Sequence, residues 1–301
     1  MPTFEQLFVC EATYSAGRDV QARSIAAHTQ HSIGSGVGRG LAGDAEDLGN
    51  WQNEGTAQAS RDSSVPTEPL LNLAILQARM TSSRLPGKVL APVLGEPMIF
   101  RQIERLSRAT RIDRLVVATS MDASDDALAG ACQARGVAVF RGSLDDVLDR
   151  FAGAVAQFTD AKTVIRVTAD CPLADWTVVD QVIGHFEATG ADYVSNTPAE
   201  RTYPHGLDVE VMRRAALLDA WREGQDPYER EHVTPYIYRR PEAYRLDYVS
   251  RTPSLAHLRW TVDYPADLEF VRDVYERLYP ADPAFGSDAV VALARNSSEA
   301  P

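Results

Sequence analysis

The chain has 301 residues, 45% of them hydrophobic, and a formal net charge of −12. That size suits one large α/β domain or two small ones, and the acidic balance argues against non-specific nucleic-acid binding, which needs a basic face. The three cysteines form no CxxC pair and fit a reducing cytoplasm better than a disulfide framework; no run approaches the roughly 18 apolar residues of a membrane span.

Residues 1–68 are rich in Gly, Ala, Ser, Gln and Asn, as in the stretch that begins Ser32-Ile-Gly-Ser-Gly. Such a composition buries too little apolar surface to offset its ordering entropy. A disordered extension is expected there, with a short helix over 20–29; an upstream start codon would produce the same preamble. The folded domain is expected over 69–301. Leu73 to Ala78 reads as a first strand, and Pro97 to Ala109 as a helix with Pro in its first turn. A strand from Arg114, a helix from Ser124 closed by Gly136, a strand at Val137 to Phe140 and a helix from Asp145 to Phe158 follow. Thr163 to Thr168 reads as a strand, Trp176 to Thr189 as a helix, and Ala191 to Ser195 as a strand. The pattern then becomes mixed. Strands are expected at Leu207–Val211, Tyr244–Val249 and Leu258–Val262, and helices at Ala215–Glu223, Glu229–Arg239 and Pro265–Leu278. Alternating strands and helices imply a mostly parallel sheet with helices on both faces.

In such a sheet ligands bind outside the carboxyl ends of the strands. The first strand runs into Gln77-Ala-Arg-Met-Thr-Ser-Ser-Arg-Leu-Pro-Gly-Lys-Val-Leu. Arg79, Arg84 and Lys88 supply positive charge there, and Ser82, Ser83 and the backbone amides supply donors, which suits a polyphosphate. The loop is not a P-loop, because Val89 stands where the metal-binding hydroxyl belongs. It resembles the nucleotide entry loop of the cytidylyltransferases, among them the Kdo and acylneuraminate enzymes, and most closely the branch of spore-coat polysaccharide biosynthesis proteins. The segments Phe140-Arg-Gly-Ser-Leu-Asp-Asp-Val-Leu-Asp-Arg-Phe, Arg166-Val-Thr-Ala-Asp-Cys-Pro-Leu, Tyr203-Pro-His-Gly-Leu-Asp-Val-Glu, Arg230-Glu-His-Val-Thr-Pro-Tyr-Ile and Arg259-Trp-Thr-Val-Asp-Tyr-Pro-Ala-Asp-Leu resemble further motifs of that branch, in order. The resemblance spans residues 71–280. It implies the Rossmann-like fold of the nucleotide-diphospho-sugar transferases.

The resemblance also implies roles. Asp170 and Asp263 each follow an expected strand and match the aspartates that hold Mg²⁺ in Kdo-type enzymes; one or two carboxylates plus substrate phosphates is the usual magnesium arrangement. Either aspartate is also explained as a turn or cap residue. Arg79 and Lys88 are the expected catalytic residues, and the nucleotide is expected to touch Leu76, Gln77, Ala78, Arg79, Ser82, Ser83, Arg84, Lys88 and Arg150. Asp145 and Asp146 fit an acidic first helical turn that complements the helix dipole; Asp146 also borders the implied nucleotide site. His205, Asp208 and Glu210 are expected near the acceptor, with Asp208 and Glu210 on one side of a strand. Arg230, Glu231 and His232 read as an internally paired group shaping the pocket. The implied reaction moves CMP from CTP to a sugar acid or sugar phosphate and releases pyrophosphate, in the cytoplasm, with no nucleic-acid or membrane partner. A homodimer built on residues 198–249 is compatible with this reading. Uridylyl or thymidylyl transfer, a glycosyltransferase and a catalytically silent nucleotide-binding scaffold are the alternatives.

Overall fold

The computed structural model describes residues 71–298. The extension over 1–68 and the helix over 20–29 lie outside the described residues. The chain opens with β1 (Leu71–Gln77), a two-stranded hairpin of β2 (Pro92–Val93) and β3 (Glu96–Pro97), α1 (Met98–Leu106), β4 (Arg114–Ser120), α2 (Asp126–Ala134), β5 (Ala138–Gly142), α3 (Val147–Ala156) and β6 (Ala161–Thr168). It continues through α4 (Trp176–Thr189), β7 (Tyr193–Ser195), β8 (Glu210–Arg213), α5 (Arg214–Glu223), α6 (Pro227–His232), α7 (Pro235–Tyr238), β9 (Leu246–Tyr248), α8 (Pro265–Leu278) and α9 (Ser287–Ser298).

Seven strands form one sheet in the order β5-β4-β1-β6-β8-β7-β9. All neighbours pair in parallel except at β8, which runs antiparallel to both β6 and β7. The strand order grows outward from β1 to β5 and then returns to place β6 on the other side of β1. The crevice between the carboxyl ends of β1 and β6 is therefore the topological switch point, where open α/β sheets bind ligands.

Alternation along the central strands feeds two cores. Ala74 and Leu76 pack with Val117, Ile165 and Val167 under α1, α4 and α8. Leu73 and Ile75 pack with Val116, Ala118 and Val164 under α3 and α5. Their burial on both faces explains the near-continuous apolar runs of these strands.

Three expected elements differ. Leu258–Val262 forms no strand among the described residues; it makes one bridge, His205 to Arg259. Its amides go elsewhere, Trp260 N–H to His205 O at 2.7 Å and Val262 N–H to Asp170 O at 2.8 Å. The strand expected at Leu207–Val211 starts later, at Glu210. The single helix expected over Glu229–Arg239 is broken into α6 and α7, because Pro235 has no N–H to donate and disfavours helical backbone before it. The helix α9 was not expected. Arg105 tethers the turn before it, with Nε donating to Ala174 O at 2.7 Å and Nη2 to Phe285 O at 3.0 Å.

Candidate active site

The loop after β1 is held at both ends. Gly87, at φ 74°, takes a left-handed conformation that a side chain would resist, and its N–H returns to Met80 O at 2.9 Å. Asp125 grips the other end. Its carboxylate accepts from Met80 N at 2.7 Å, Thr119 Oγ1 at 2.9 Å, Ser120 N at 3.0 Å and Ser120 Oγ at 2.5 Å. Burial pushes its pKa up, but these donors outweigh burial and hold it below the usual carboxylate range.

The loop delivers Lys88 inward. Its side chain is 10% exposed, and Nζ donates to Val262 O at 2.5 Å and to Asp263 Oδ1 at 3.2 Å. Asp170 Oδ2 lies 3.6 Å from the same nitrogen. The two aspartates thus converge from separate segments, which the Val262–Asp170 backbone bond ties together. Thr168 Oγ1 donates to Asp170 Oδ1 at 2.7 Å and orients that carboxylate. Asp263 also receives Arg84 at 2.9 Å and Arg259 at 2.6 Å. Burial raises its pKa, but Lys88, Arg84 and Arg259 prevail and hold it below the ordinary range.

Around this cluster lies a cavity of about 340 Å³, lined among others by Gln77, Ala78, Arg79, Ser82, Ser83, Arg84, Lys88, Asp170 and Asp263. Arg79 is exposed and makes no ion pair among the described residues. A second cavity of about 530 Å³ adjoins it. Asp208 and Glu210 line the second, and Thr168 and His232 line both. Within the second cavity Arg201 makes a two-pronged pair with Asp208. Glu210 pairs with Arg166 and accepts from Tyr193 Oη and Thr234 Oγ1, each at 2.6 Å. Burial and the Glu210 charge raise the Tyr193 hydroxyl well above its usual value.

Other expected residues lie away from the cavities. Leu76 is fully buried in the core, and its backbone belongs to the sheet. Arg150 is also fully buried and donates to Ser143 O at 3.0 Å. Burial pushes its guanidinium down to about 10, against the pull of Asp125. His205 lines neither cavity. Asp146 caps α3 by accepting from Asp149 N at 2.9 Å and holds Arg230. Arg230 thus pairs with Asp146 rather than with its neighbours Glu231 and His232.

Asp125, Arg166 and the shared position of His232 were not legible as site features. Asp125 reads as part of an ordinary acidic helix start, and Arg166 as one residue of a strand. Only the pairing of Glu210 across β6 and β8 reveals Arg166 as a cavity wall.

Residues 73–278 match the family model described as Cytidylyltransferase. The chain belongs to the cytidylyltransferase family. It is 35% identical over 240 residues to the spore coat polysaccharide biosynthesis protein SpsF of Bacillus subtilis, covering 76% of this chain and 96% of that one. It is 35% identical over 149 residues to the 8-amino-3,8-dideoxy-manno-octulosonate cytidylyltransferase of Shewanella baltica, covering 48% of this chain and 56% of that protein. Among solved structures, a cytidylyltransferase from Leptospira borgpetersenii superposes with a TM-score of 0.71 at 27% identity, covering 76% of this chain and 96% of that one. The central sheet of this chain is mostly parallel and layered with helices. No helix among the described residues is long and apolar enough to cross a membrane.

Proposed function

We propose that this cytidylyltransferase moves CMP from CTP to a hydroxyl of a sugar-type acceptor, releasing pyrophosphate. The observation that carries the reading is the pair of adjoining cavities, the first with cations in excess of its carboxylates and the second with its charges matched. The first holds Arg79, which makes no ion pair among the described residues, and Arg84, whose half-exposed side chain pairs with Asp263 at 2.9 Å. Arg79 is open to a triphosphate, and Arg84 can be given up by Asp263, which keeps Lys88 and Arg259. The second is charge-matched: Arg166 faces Glu210 and Arg201 faces Asp208. A sugar phosphate would bring two negative charges to a chamber whose cations are already paired. An acceptor attacking through a hydroxyl fits it better, with tyrosines and carboxylates to meet sugar hydroxyls. Likeness to SpsF and to the octulosonate enzyme supports a sugar-acid acceptor and a role in making a surface polysaccharide.

The donor set fits a magnesium ion. Two carboxylates converge at the first cavity, and one or two carboxylate oxygens completed by substrate phosphates are what this hard cation takes. Asp170 and Asp263 would hold the ion, which when bound neutralises triphosphate charge. Lys88, Arg79 and Arg84 bind and orient the phosphates, so that the acceptor oxygen meets the α-phosphorus in line with the departing pyrophosphate.

Calorimetry with CTP, UTP, dTTP, ATP and GTP in the presence of Mg²⁺ tests the nucleotide. CTP is expected to bind at least about tenfold more tightly than UTP, about 1.4 kcal/mol. Tighter UTP or dTTP binding would place the chain with the uridylyl or thymidylyl enzymes, and no binding would favour a silent scaffold. Pyrophosphate release with 3-deoxy-manno-octulosonate against glucose 1-phosphate tests the acceptor class.

A further inference from the structure

We propose that His232 receives the proton of the attacking acceptor hydroxyl, an assignment that rests on the transfer reaction above. His232 and Thr168 are the two residues common to the walls of both cavities. Thr168 is committed to orienting Asp170. His232 is exposed, and neither ring nitrogen makes a hydrogen bond among the described residues. An imidazole at the junction of donor and acceptor chambers is placed where a nucleophile would lose its proton, and histidine is the side chain most often used for that task.

The backbone around it is built to hold that position. Val233 has φ 73° and ψ −60°, and Thr234 N–H returns to His232 O at 2.9 Å. This is the γ-turn of the rare, strained kind, adopted by a β-branched residue for which positive φ is an outlier. Such strain persists only where the surroundings over-determine it, and it clusters at functional sites. The restraints are identifiable. Val233 is fully buried. Thr234 Oγ1 is bonded to Glu210 at 2.6 Å. On α6, Arg230 Nε donates to Asp146 at 2.9 Å and its Nη1 to Trp221 O at 2.7 Å. Glu229 pairs with Arg240 at 2.8 Å. The Tyr228 ring packs against the imidazole with centroids 4.2 Å apart.

In the step, the acceptor oxygen forms a bond to the α-phosphorus. The bond from that phosphorus to the bridging oxygen breaks, and its electron pair leaves with pyrophosphate. The acceptor proton passes to an imidazole nitrogen and then to solvent. On the nucleotide side His232 shares its walls with Arg79, Arg84, Lys88, Asp170 and Asp263. On the acceptor side the charged groups are the Arg166–Glu210 and Arg201–Asp208 pairs, with the hydroxyls of Tyr193, Tyr228, Tyr238 and Tyr248.

The test compares the intact chain with His232→Gln, using CTP, Mg²⁺ and 3-deoxy-manno-octulosonate as the acceptor probe. Loss of a general base predicts a fall in kcat of about 10²–10⁴-fold, a KM for CTP changed by less than roughly threefold, and loss of the acid limb of the kcat/KM profile. An unchanged kcat with the acid limb intact overturns the assignment, as does a rise in KM for CTP alone. A measurement independent of the acceptor is the ¹⁵N imidazole signal of His232, assigned by its absence in the variant. It should move when CTP and Mg²⁺ are added; a signal that stays put while CTP binds overturns the assignment even if the probe is not turned over. Absence of calorimetric CTP binding to the unaltered chain would instead refute the transfer reaction itself.

Discussion

Lys88 and Asp263 meet across 175 positions of sequence, with Nζ 3.2 Å from Oδ1. The amine is almost enclosed, so its charge needs a partner in place. Asp263 provides one and is in turn surrounded by Arg84 and Arg259. The carboxylate is therefore over-supplied with cations. That surplus suits a site into which phosphates bring negative charge, because a triphosphate can draw Arg84 away without leaving Asp263 alone.

Lys88→Met is expected to lower turnover by roughly 10²–10³-fold, the usual cost of one preorganised charge-stabilising donor. The apolar stem is preserved, and Asp263 keeps both arginines, so the melting temperature should move by only a few degrees. Base preference should not change, since phosphate contacts carry no base identity. Pyrophosphate-release assays with CTP and UTP, beside a thermal melt, check all three outcomes. An unaltered kcat would remove Lys88 from the chemistry.

Asp125→Asn should loosen the loop after β1. The carboxylate serves backbone and hydroxyl donors from β4 and from Met80, and an amide cannot accept from all of them. Hydrogen bonds to a charged acceptor are worth about 1.5–3 kcal/mol each, so a loss of that order is expected, with weaker CTP binding. The folded pKa is depressed. Its contribution is therefore fully present above the unfolded value, near 3.9, and is lost as pH falls through the lower folded value. Acid unfolding followed by circular dichroism should show the variant less stable at neutral pH, with the gap closing in strong acid. A gap independent of pH would argue against the charge.

The parallel half of the sheet was legible because β1, β4 and β6 are buried on both faces and read as apolar runs. Helices α4 and α8 matched to the residue: Asp175 caps the first with its side chain, and Pro265 opens the second. Asp170 and Asp263 were expected at the sheet's carboxyl edge because each follows an expected strand, but their convergence on one site came through resemblance, since no spacing rule pairs residues so distant. Two features were hidden for local reasons. A β-branched residue at positive φ contradicts every propensity, so the break at Val233 is invisible until Pro235 is weighed with the tertiary contacts. The segment before Asp263 has strand composition but hands its amides to His205 and Asp170 instead of to a ladder.

Glu210→Gln should be among the most destabilising single changes near the site. Glu210 is buried and meets Arg166, Tyr193 and Thr234. Removing its charge strands a guanidinium whose pKa burial depresses but Glu210, with smaller help from Tyr193 and Asp170, raises overall. Breaking one side of a buried pair costs about 3–5 kcal/mol. Chemical denaturation should show that loss, and Arg166→Met in the same chain should recover part of it, because the orphaned charge is then gone. Failure of the double variant to recover any stability would mean that Glu210 acts through its tyrosine and threonine bonds rather than through the ion pair.

Asp170→Asn and Asp263→Asn should both abolish magnesium-dependent turnover but should differ in stability. Asp170 is half-exposed, its nearest cation is 3.6 Å away, and its bond from Thr168 survives in an amide. Its replacement should leave the melting temperature nearly unchanged. Asp263 is more enclosed and is the nearer carboxylate to Lys88 and a contact of Arg84 and Arg259. Neutralising it leaves Lys88 with a carbonyl and one distant carboxylate, and places three cations around an uncharged group. A loss of about 1–3 kcal/mol is expected for such a buried charge-assisted contact. Millimolar Mg²⁺ with CTP should raise the melting temperature of the unaltered chain more than either variant's, since a ligand that binds only the folded state stabilises it by mass action. The discriminating measurement is the Mg²⁺ dependence of CTP affinity. If both carboxylates hold the ion, each variant should bind CTP with little response to Mg²⁺. If Asp263 only neutralises Lys88, its variant should lose stability yet keep the full magnesium response.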